Sequence, residues 1–360
     1  MPSIITGRAY TYVTPWDADL TTLTQETIFE IDESRLETND MVVKTLATPI
    51  NPSDVSQILG GYNKPIANSR LGTKESHPVH VGGNEGVFEV IHVGSEITNY
   101  KVGDIVIPKM PGFGTWRTYA LVTVNETDLT PFIKVNGLSI DQAAIISINP
   151  STAYQLLHQF IDDWKSGDWI IQNAGNSQAS KYLTQLAHLK GVNVISVVRD
   201  GKLEEVADEL YRFHATKVIT ESELLDNGFS IDKLTDGGNV RLALNSLGGK
   251  SVPGLVKSLS EDGTLITYGV LAGGEINYNG ALQLFKNLTT KAYWLTANTK
   301  KNPSYKIETV NKLAELFSED KIEVVPYVKV KYDSTKQDLK SCIKQTITDS
   351  KTQKHVIFYE

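Results

Sequence analysis

The sequence predicts an α/β fold in two parts, a β-rich domain and a doubly wound parallel sheet, and three observations predict it. The first is length: 360 residues exceed what one hydrophobic core usually organises, so two domains are expected. The second is the text from about Glu30 to Val124, dense in Gly, Pro and short β-rich runs such as Met41–Leu46 and Val87–Ile91, which reads as a barrel-like β domain. The third is the change of grammar near Asp141, after which apolar strand-length runs alternate with helical segments, the pattern of βαβ units.

The strands expected in the second part are Trp169–Asn173, Asn193–Arg199, Thr216–Thr220, Arg241–Asn245, Thr264–Tyr268 and Ala292–Thr296. Helices are expected near Ser177–Lys190, Leu203–Leu210, Ser251–Leu259 and Pro303–Phe317. The strands are apolar along their length, as strands covered on both faces are. After about Asp320 the β-rich text resumes in Val324–Val330 and closes in His355–Tyr359, so the C-terminus is expected to complete the first domain. The expected boundaries are 1–145 with 320–360 for the β-rich domain and 146–319 for the parallel sheet.

Composition narrows the function classes. A net charge of -7 and a pI near 5.6 argue against a polyanion as the main partner, so nucleic acid is not expected. Cys342 is the only cysteine. It admits no intramolecular disulfide and no thiolate-rich zinc site. No apolar run approaches the roughly 18 to 20 residues that cross a bilayer, so no membrane span is expected. Residues 1–13 hold only Arg8 and no Arg- and Ser-rich amphipathic stretch; a targeting segment is absent from this chain or was removed before its numbering.

The chemistry starts at the turn after Trp169–Asn173. Ala174-Gly175-Asn176-Ser177-Gln178-Ala179 opens a helix whose first N–H groups are unpaired and whose dipole favours an anion. Only Gly175 is a glycine here, so the turn is an incomplete G-x-G-x-x-G and alone a weak signal, compatible with an ordinary strand-to-helix turn. Arg199 ends the next strand 23 positions beyond Asn176. That is near the roughly 20-residue offset at which an acidic residue grips the ribose of NAD or an Arg takes the 2′-phosphate of NADP. Arg199 suits NADPH; Asp200, if it reached the ribose instead, would suit NADH. Metal ligands are not expected: His77 and His80 flank Pro78 with no helix to put them on one face.

Taken in order, Ile50-Asn51-Pro52-Ser53-Asp54, Gly83-Asn84-Glu85-Gly86, Gly114-Thr115-Trp116-Arg117, Ile148-Asn149-Pro150, Val198-Arg199-Asp200 and Thr267-Tyr268-Gly269 resemble the fungal mitochondrial 2-enoyl thioester reductases, zinc-free members of the medium-chain dehydrogenases/reductases. The resemblance runs over nearly the whole chain. It implies a GroES-like domain and a Rossmann domain, a homodimer, a mitochondrial matrix location, and NADPH-dependent reduction of trans-2-enoyl thioesters on CoA or acyl carrier protein. It implies Tyr62 as the catalytic residue, where composition alone would make a Tyr after two glycines a packing or turn residue.

Its cofactor contacts carry over to Asn149, Asn176, Ser177, Gln178, Ala179, Arg199, Asp200, Gly201, Tyr268, Gly269, Val270, Leu271, Tyr293, Trp294, Leu295 and Lys354. Asn149 could instead cap the helix expected near Ser151, and Trp294, expected at the end of a parallel strand, could be a core aromatic. Gly201 stands where relatives often have a second basic residue, leaving Lys202 as the nearest second cation, and Val270 adds bulk beside the expected nicotinamide region. Zinc-containing relatives place a His and a Cys ligand where Asn84 and Ser53 stand. On the same scaffold a quinone or enone reductase, or a catalytically silent NADPH-binding regulator, is the alternative.

Overall fold

The computed structural model describes residues 3–13, 23–61, 69–74, 79–126, 128–351 and 353–360. They form two compact units, one made of Met1–Ile148, Thr299–Ser318 and Pro326–Glu360, the other of Asn149–Asn298 and Glu319–Val325.

The first unit is a GroES-like β structure of two sheets. Thr24–Asp32, Ile4–Tyr12 and His80–Val81 form the smaller one. The larger is organised by Asp40–Pro49, whose Met41, Val42, Val43 and Ala47 are fully buried. This strand pairs antiparallel with Val87–Val93, with Tyr119–Thr123 and with His355–Tyr359. The C-terminal strand is therefore part of the sheet in which the chain's third strand is central. Between Val328–Tyr332 and His355–Tyr359, which pair in parallel, the chain makes a helix, Leu339–Asp349, that the β-rich reading did not anticipate. Its buried Leu339, Cys342, Ile343, Thr346 and Ile347 recur at one-face helical spacing, and all but Thr346 pack in one cluster with Tyr10, Trp116 and Ile357. Asp338 caps it by accepting from Ser341 N at 2.8 Å. Cys342 is thus a core residue.

The second unit carries a six-stranded sheet, parallel throughout. Taken in chain order its strands are Trp169–Gln172, Asn193–Val198, Lys217–Thr220, Val240–Asn245, Thr264–Thr267 and Thr289–Ala292, arranged third, second, first, fourth, fifth, sixth. The first and fourth are neighbours reached by opposite-going connections. Their carboxyl ends form the switch point where ligands bind in such sheets. Five strands fall where the apolar runs predicted them. The sixth does not: it is Thr289–Ala292, not Ala292–Thr296. Tyr293 N makes the last ladder bond, to Thr267 O at 2.9 Å, and Leu295–Lys301 is a helix. An edge strand exposed at all four residues needs no apolar face, which is why the sequence hid it.

The helix Pro303–Ser318 groups with the first unit, although the sequence reading counted it with the parallel sheet. Its buried Lys306 donates from Nζ to Ser147 O, and Val310, Leu313 and Phe317 are buried beside it in sequence.

Candidate functional site

In the second unit the first strand delivers a built turn. Ala174 takes a left-handed φ of 48°, and Gly175 N donates to Val197 O at 2.9 Å. A Cβ on Gly175 would lie 2.6 Å from Ser196 Cβ and 3.0 Å from its backbone, so only glycine lets the turn pass this close to the second strand. Ser177 caps the helix Gln178–His188, its Oγ accepting from Ser180 N at 3.2 Å. Asn176, Ser177, Gln178 and Ala179 are half-buried around the helix's first N–H groups. Fully buried Asn173 and Asn245 lock the adjoining strand ends: Asn173 Nδ2 donates to Asn245 Oδ1 at 2.8 Å, and Asn173 Oδ1 accepts from Ser246 N at 2.7 Å. Backbone donors at a helix start, set on rigid strand ends, make a seat for a pyrophosphate.

Asp200 is turned away, its carboxylate accepting from Ser222 N at 3.0 Å and Ser222 Oγ at 2.9 Å, bonds that hold it below its usual range. Arg199 is exposed at the strand end, and Gly201 leaves open space beside it. Lys202 is engaged by Glu205. The donor set here is one guanidinium with the nearby carboxylate already occupied, which suits a phosphate better than a ribose diol.

Of the other residues expected at the cofactor, Tyr268 has its hydroxyl among Ser180, Ser246 and Ser177, and burial pushes its pKa up. Gly269 is needed because a Cβ would meet Ser246 O at 2.5 Å. Val270, Leu271 and Trp294 are exposed within this unit; Trp294 follows the sixth strand and precedes a helix rather than ending a strand, and it is not a core aromatic. Tyr293 is buried, its hydroxyl donating to Gln155 Oε1 at 3.0 Å, and Leu295 is buried at the start of its helix. Asn149 is the first residue of the helix Asn149–Gln159, so the helix starts before Ser151.

In the first unit the notable feature is a buried polar cluster. Asp54 and Glu85 are both buried. Asp54 accepts from Asn51 N at 2.7 Å, Asn84 N at 2.9 Å and Asn84 Nδ2 at 2.7 Å. Asn84 Nδ2 also donates to Gln57 Oε1 at 2.8 Å. Asn84 is thereby spent on hydrogen bonds at the position where zinc-containing relatives have a His. Among the described residues no group of three or more His, Cys, Asp or Glu is arranged to hold a metal. His80 stacks on Tyr12 with ring centroids 5.4 Å apart; His77 lies outside the described residues.

Glu85 accepts from Asn51 Nδ2 at 3.1 Å and Ile148 N at 2.7 Å. Lys354, expected at the cofactor, also reaches this cluster: its Nζ donates to Asn51 Oδ1 and lies 4.0 Å from Glu85 Oε2. Burial pushes Asp54 up to about 6 and Glu85 up to about 7, against the pull of these donors and Lys354. Burial lowers the amines of Lys354 and Lys306, the latter to about 7. Tyr62 lies outside the described residues. The helix that leads toward it, Pro52–Ile58, is capped by Asn51 and ends through Gly60 at φ 79°.

Residues 37–133 match the alcohol dehydrogenase GroES-like domain and 181–317 the zinc-binding dehydrogenase domain. The chain is 45% identical to a mitochondrial enoyl-acyl-carrier-protein reductase 1 of Debaryomyces hansenii over 99% of each. It superposes with a TM-score of 0.90 and 36% identity, over 99% of this chain and 100% of the other, on the solved complex of Etr1p with NADP and crotonyl-CoA. The mitochondrial 2-enoyl thioester reductase Etr1p/Etr2p heterodimer from Candida tropicalis gives the same values. The chain belongs to the enoyl-acyl-carrier-protein reductase family. In this member of that family the medium-chain dehydrogenase scaffold is kept while Asn84 and Ser53 occupy the positions of the zinc scheme.

Sequence reasoning missed Asn51, Asp54, Glu85 and Lys306 as one cluster, because they are scattered from position 51 to position 306 and only the fold gathers them. A visible signal was Glu85 itself, a carboxylate in an otherwise small and apolar run, Gly82-Gly83-Asn84-Glu85-Gly86-Val87. A test follows from Asp54. Its folded pKa is raised, so the folded chain holds a proton that the unfolded chain has lost between about pH 4 and pH 6, and stability is lost as pH rises through that window. Asp54→Asn removes this dependence. Urea denaturation should show the variant's stability, relative to the parent, rising by up to about 3 kcal/mol from pH 4 to pH 7; a flat difference would contradict the buried ionisation.

Proposed function

We propose that this chain is an NADPH-dependent reductase of trans-2-enoyl thioesters, on CoA or acyl carrier protein, acting in fatty acid synthesis in the mitochondrial matrix. The observation that carries the cofactor half is the division of labour at the second strand's end, with Arg199 exposed and Asp200 held by Ser222. The substrate half is supported by Etr1p, whose complex contains crotonyl-CoA, and the compartment by relatives named as mitochondrial.

The turn Asn176–Ala179 takes the pyrophosphate on helix N–H groups, Arg199 takes the 2′-phosphate, with Gly201 leaving it room, and Tyr268 through Leu271 and Tyr293 through Leu295 border the nicotinamide. Asn149 offers its amide to cofactor or substrate. Lys354, beside Asn51 and Glu85, is proposed as a further cofactor contact. When bound, NADPH supplies the hydride that attacks the β-carbon of the unsaturated thioester. Reduction at that carbon leaves an enolate, and the phenol of Tyr62 hydrogen-bonds the enolate oxygen or protonates the α-carbon. The chain works as a homodimer; the exposed edge strand Thr289–Ala292, with Leu284 and Phe285 exposed just before it, is the surface that supports pairing with a second copy.

Oxidation of NADPH by trans-2-hexenoyl-CoA should be catalysed by the parent chain and fall about 100-fold or more in kcat for Tyr62→Phe. A parent without activity contradicts the substrate class, and an unimpaired variant removes Tyr62 from the mechanism. Arg199→Ala should weaken NADPH binding by about 1.5 to 3 kcal/mol, the worth of a charge-assisted contact, and leave NADH binding nearly unchanged. Equal losses for both cofactors would contradict the assigned role.

A further inference from the structure

Glu85 is buried, no step of the reduction has been assigned to it, and its geometry is specific. One oxygen, Oε2, accepts from Asn51 Nδ2 at 3.1 Å; the other, Oε1, accepts from Ile148 N at 2.7 Å. Asn51 is the cap of the helix Pro52–Ile58. Beyond that helix the chain has only Leu59, Gly60 and Gly61 before Tyr62, and Gly61 N is fixed to Ser56 O at 2.7 Å. Ile148 is the residue before Asn149. The same two segments are each held again by a lysine: Lys354 Nζ donates to Asn51 Oδ1, and Lys306 Nζ to the carbonyl of Ser147. Thr48 and Thr115 fix Glu85 from behind, both hydroxyls donating to its carbonyl at 2.8 and 2.7 Å.

We propose that Glu85 is a positioning residue for the reduction: its two carboxylate oxygens separately hold the segments that lead into Tyr62 and Asn149. The inference rests on the functional reading above, in which those two residues meet substrate or cofactor. A carboxylate is needed because both partners are N–H donors, and only an ionised carboxylate accepts on both oxygens without offering a proton. A glutamine of the same shape has one accepting oxygen and one NH2. It must face a donor with a donor on one side, releasing one segment while filling the same space. Small displacements of a reacting group cost rate far more than they cost binding, so the loss should appear in kcat.

The test is a double-mutant cycle of Glu85→Gln with Tyr62→Phe, read by NADPH oxidation with trans-2-hexenoyl-CoA. Glu85→Gln alone should lower kcat about 10- to 100-fold and leave the KM for NADPH within about twofold, the cofactor turn lying in the other unit. In the Tyr62→Phe background the same change should cost less than about threefold, because a positioning residue has little left to position. Asn51→Ala, which releases one arm and keeps the carboxylate, should lower kcat in the same direction and show the same non-additivity, and it carries the test if Glu85→Gln does not fold by circular dichroism. Full additivity in both cycles, or a Glu85→Gln kcat within about twofold of the parent, overturns the proposal. A parent that turns over no enoyl thioester overturns the functional reading instead, so the two failures are told apart by the parent's own rate.

Discussion

Two buried carboxylates that must be satisfied by the chain's own donors are the constraint on which the first unit depends. Asp54 and Glu85 lose their water on folding, and an unpaired buried charge is too costly to persist. The chain answers with amide donors from Asn51 and Asn84, the Ile148 N–H, and the ammonium groups of Lys354 and Lys306. Each donor comes from a different stretch of chain, so satisfying the charges fixes the start of one helix, the exit of the β structure and a residue just ahead of the C-terminal strand. Removing one partner from such a set leaves its charge buried alone, a loss of about 3 to 5 kcal/mol.

The same hydrogen bonds engage Asn84, which the resemblance puts at a ligand position of zinc-containing relatives. Asn84 stands at a ligand position, yet its amide is committed to Asp54 and Gln57 and its backbone N–H also to Asp54. In the second unit a comparable economy operates at the nucleotide turn. The missing glycines of the dinucleotide pattern are tolerated because Gly175 alone makes the tight passage by Ser196, while Ser177 supplies the helix cap. Asp200 is held by Ser222, and in the proposed reading phosphate selectivity falls to Arg199.

Much of this architecture was legible in the sequence. The first five parallel strands could be read because strands covered on both faces are written as uninterrupted apolar runs, Ile170-Ile171 and Val194-Ile195 among them. The sixth was misplaced because Thr289-Thr290-Lys291 is polar and exposed, and the apolar run after it, Ala292-Tyr293-Trp294-Leu295, straddles a strand end and a helix start. The helix Leu339–Asp349 carried a readable one-face spacing, but its flanking β-rich runs set the expectation for the region. Of the site, the turn's helix start and the place of Arg199 at a strand end were legible through local grammar. The pairing of Lys354 with Asn51 and Glu85 was not, since a lysine's partner is set by long-range contacts that no local pattern records.

The account's central claim is a direct reduction at the β-carbon of an enoyl thioester by a protein whose zinc-ligand positions hold Asn84 and Ser53. It is tested most directly by label transfer from NADPH deuterated at C4 of the nicotinamide to trans-2-butenoyl-CoA, using protein dialysed exhaustively against a chelator, with the product read by NMR. The account predicts one deuterium at C3 of the saturated thioester, a solvent hydrogen at C2, and a rate unchanged by chelation. Deuterium at C2, label lost to solvent, or activity that vanishes with the chelator and returns with zinc would contradict it.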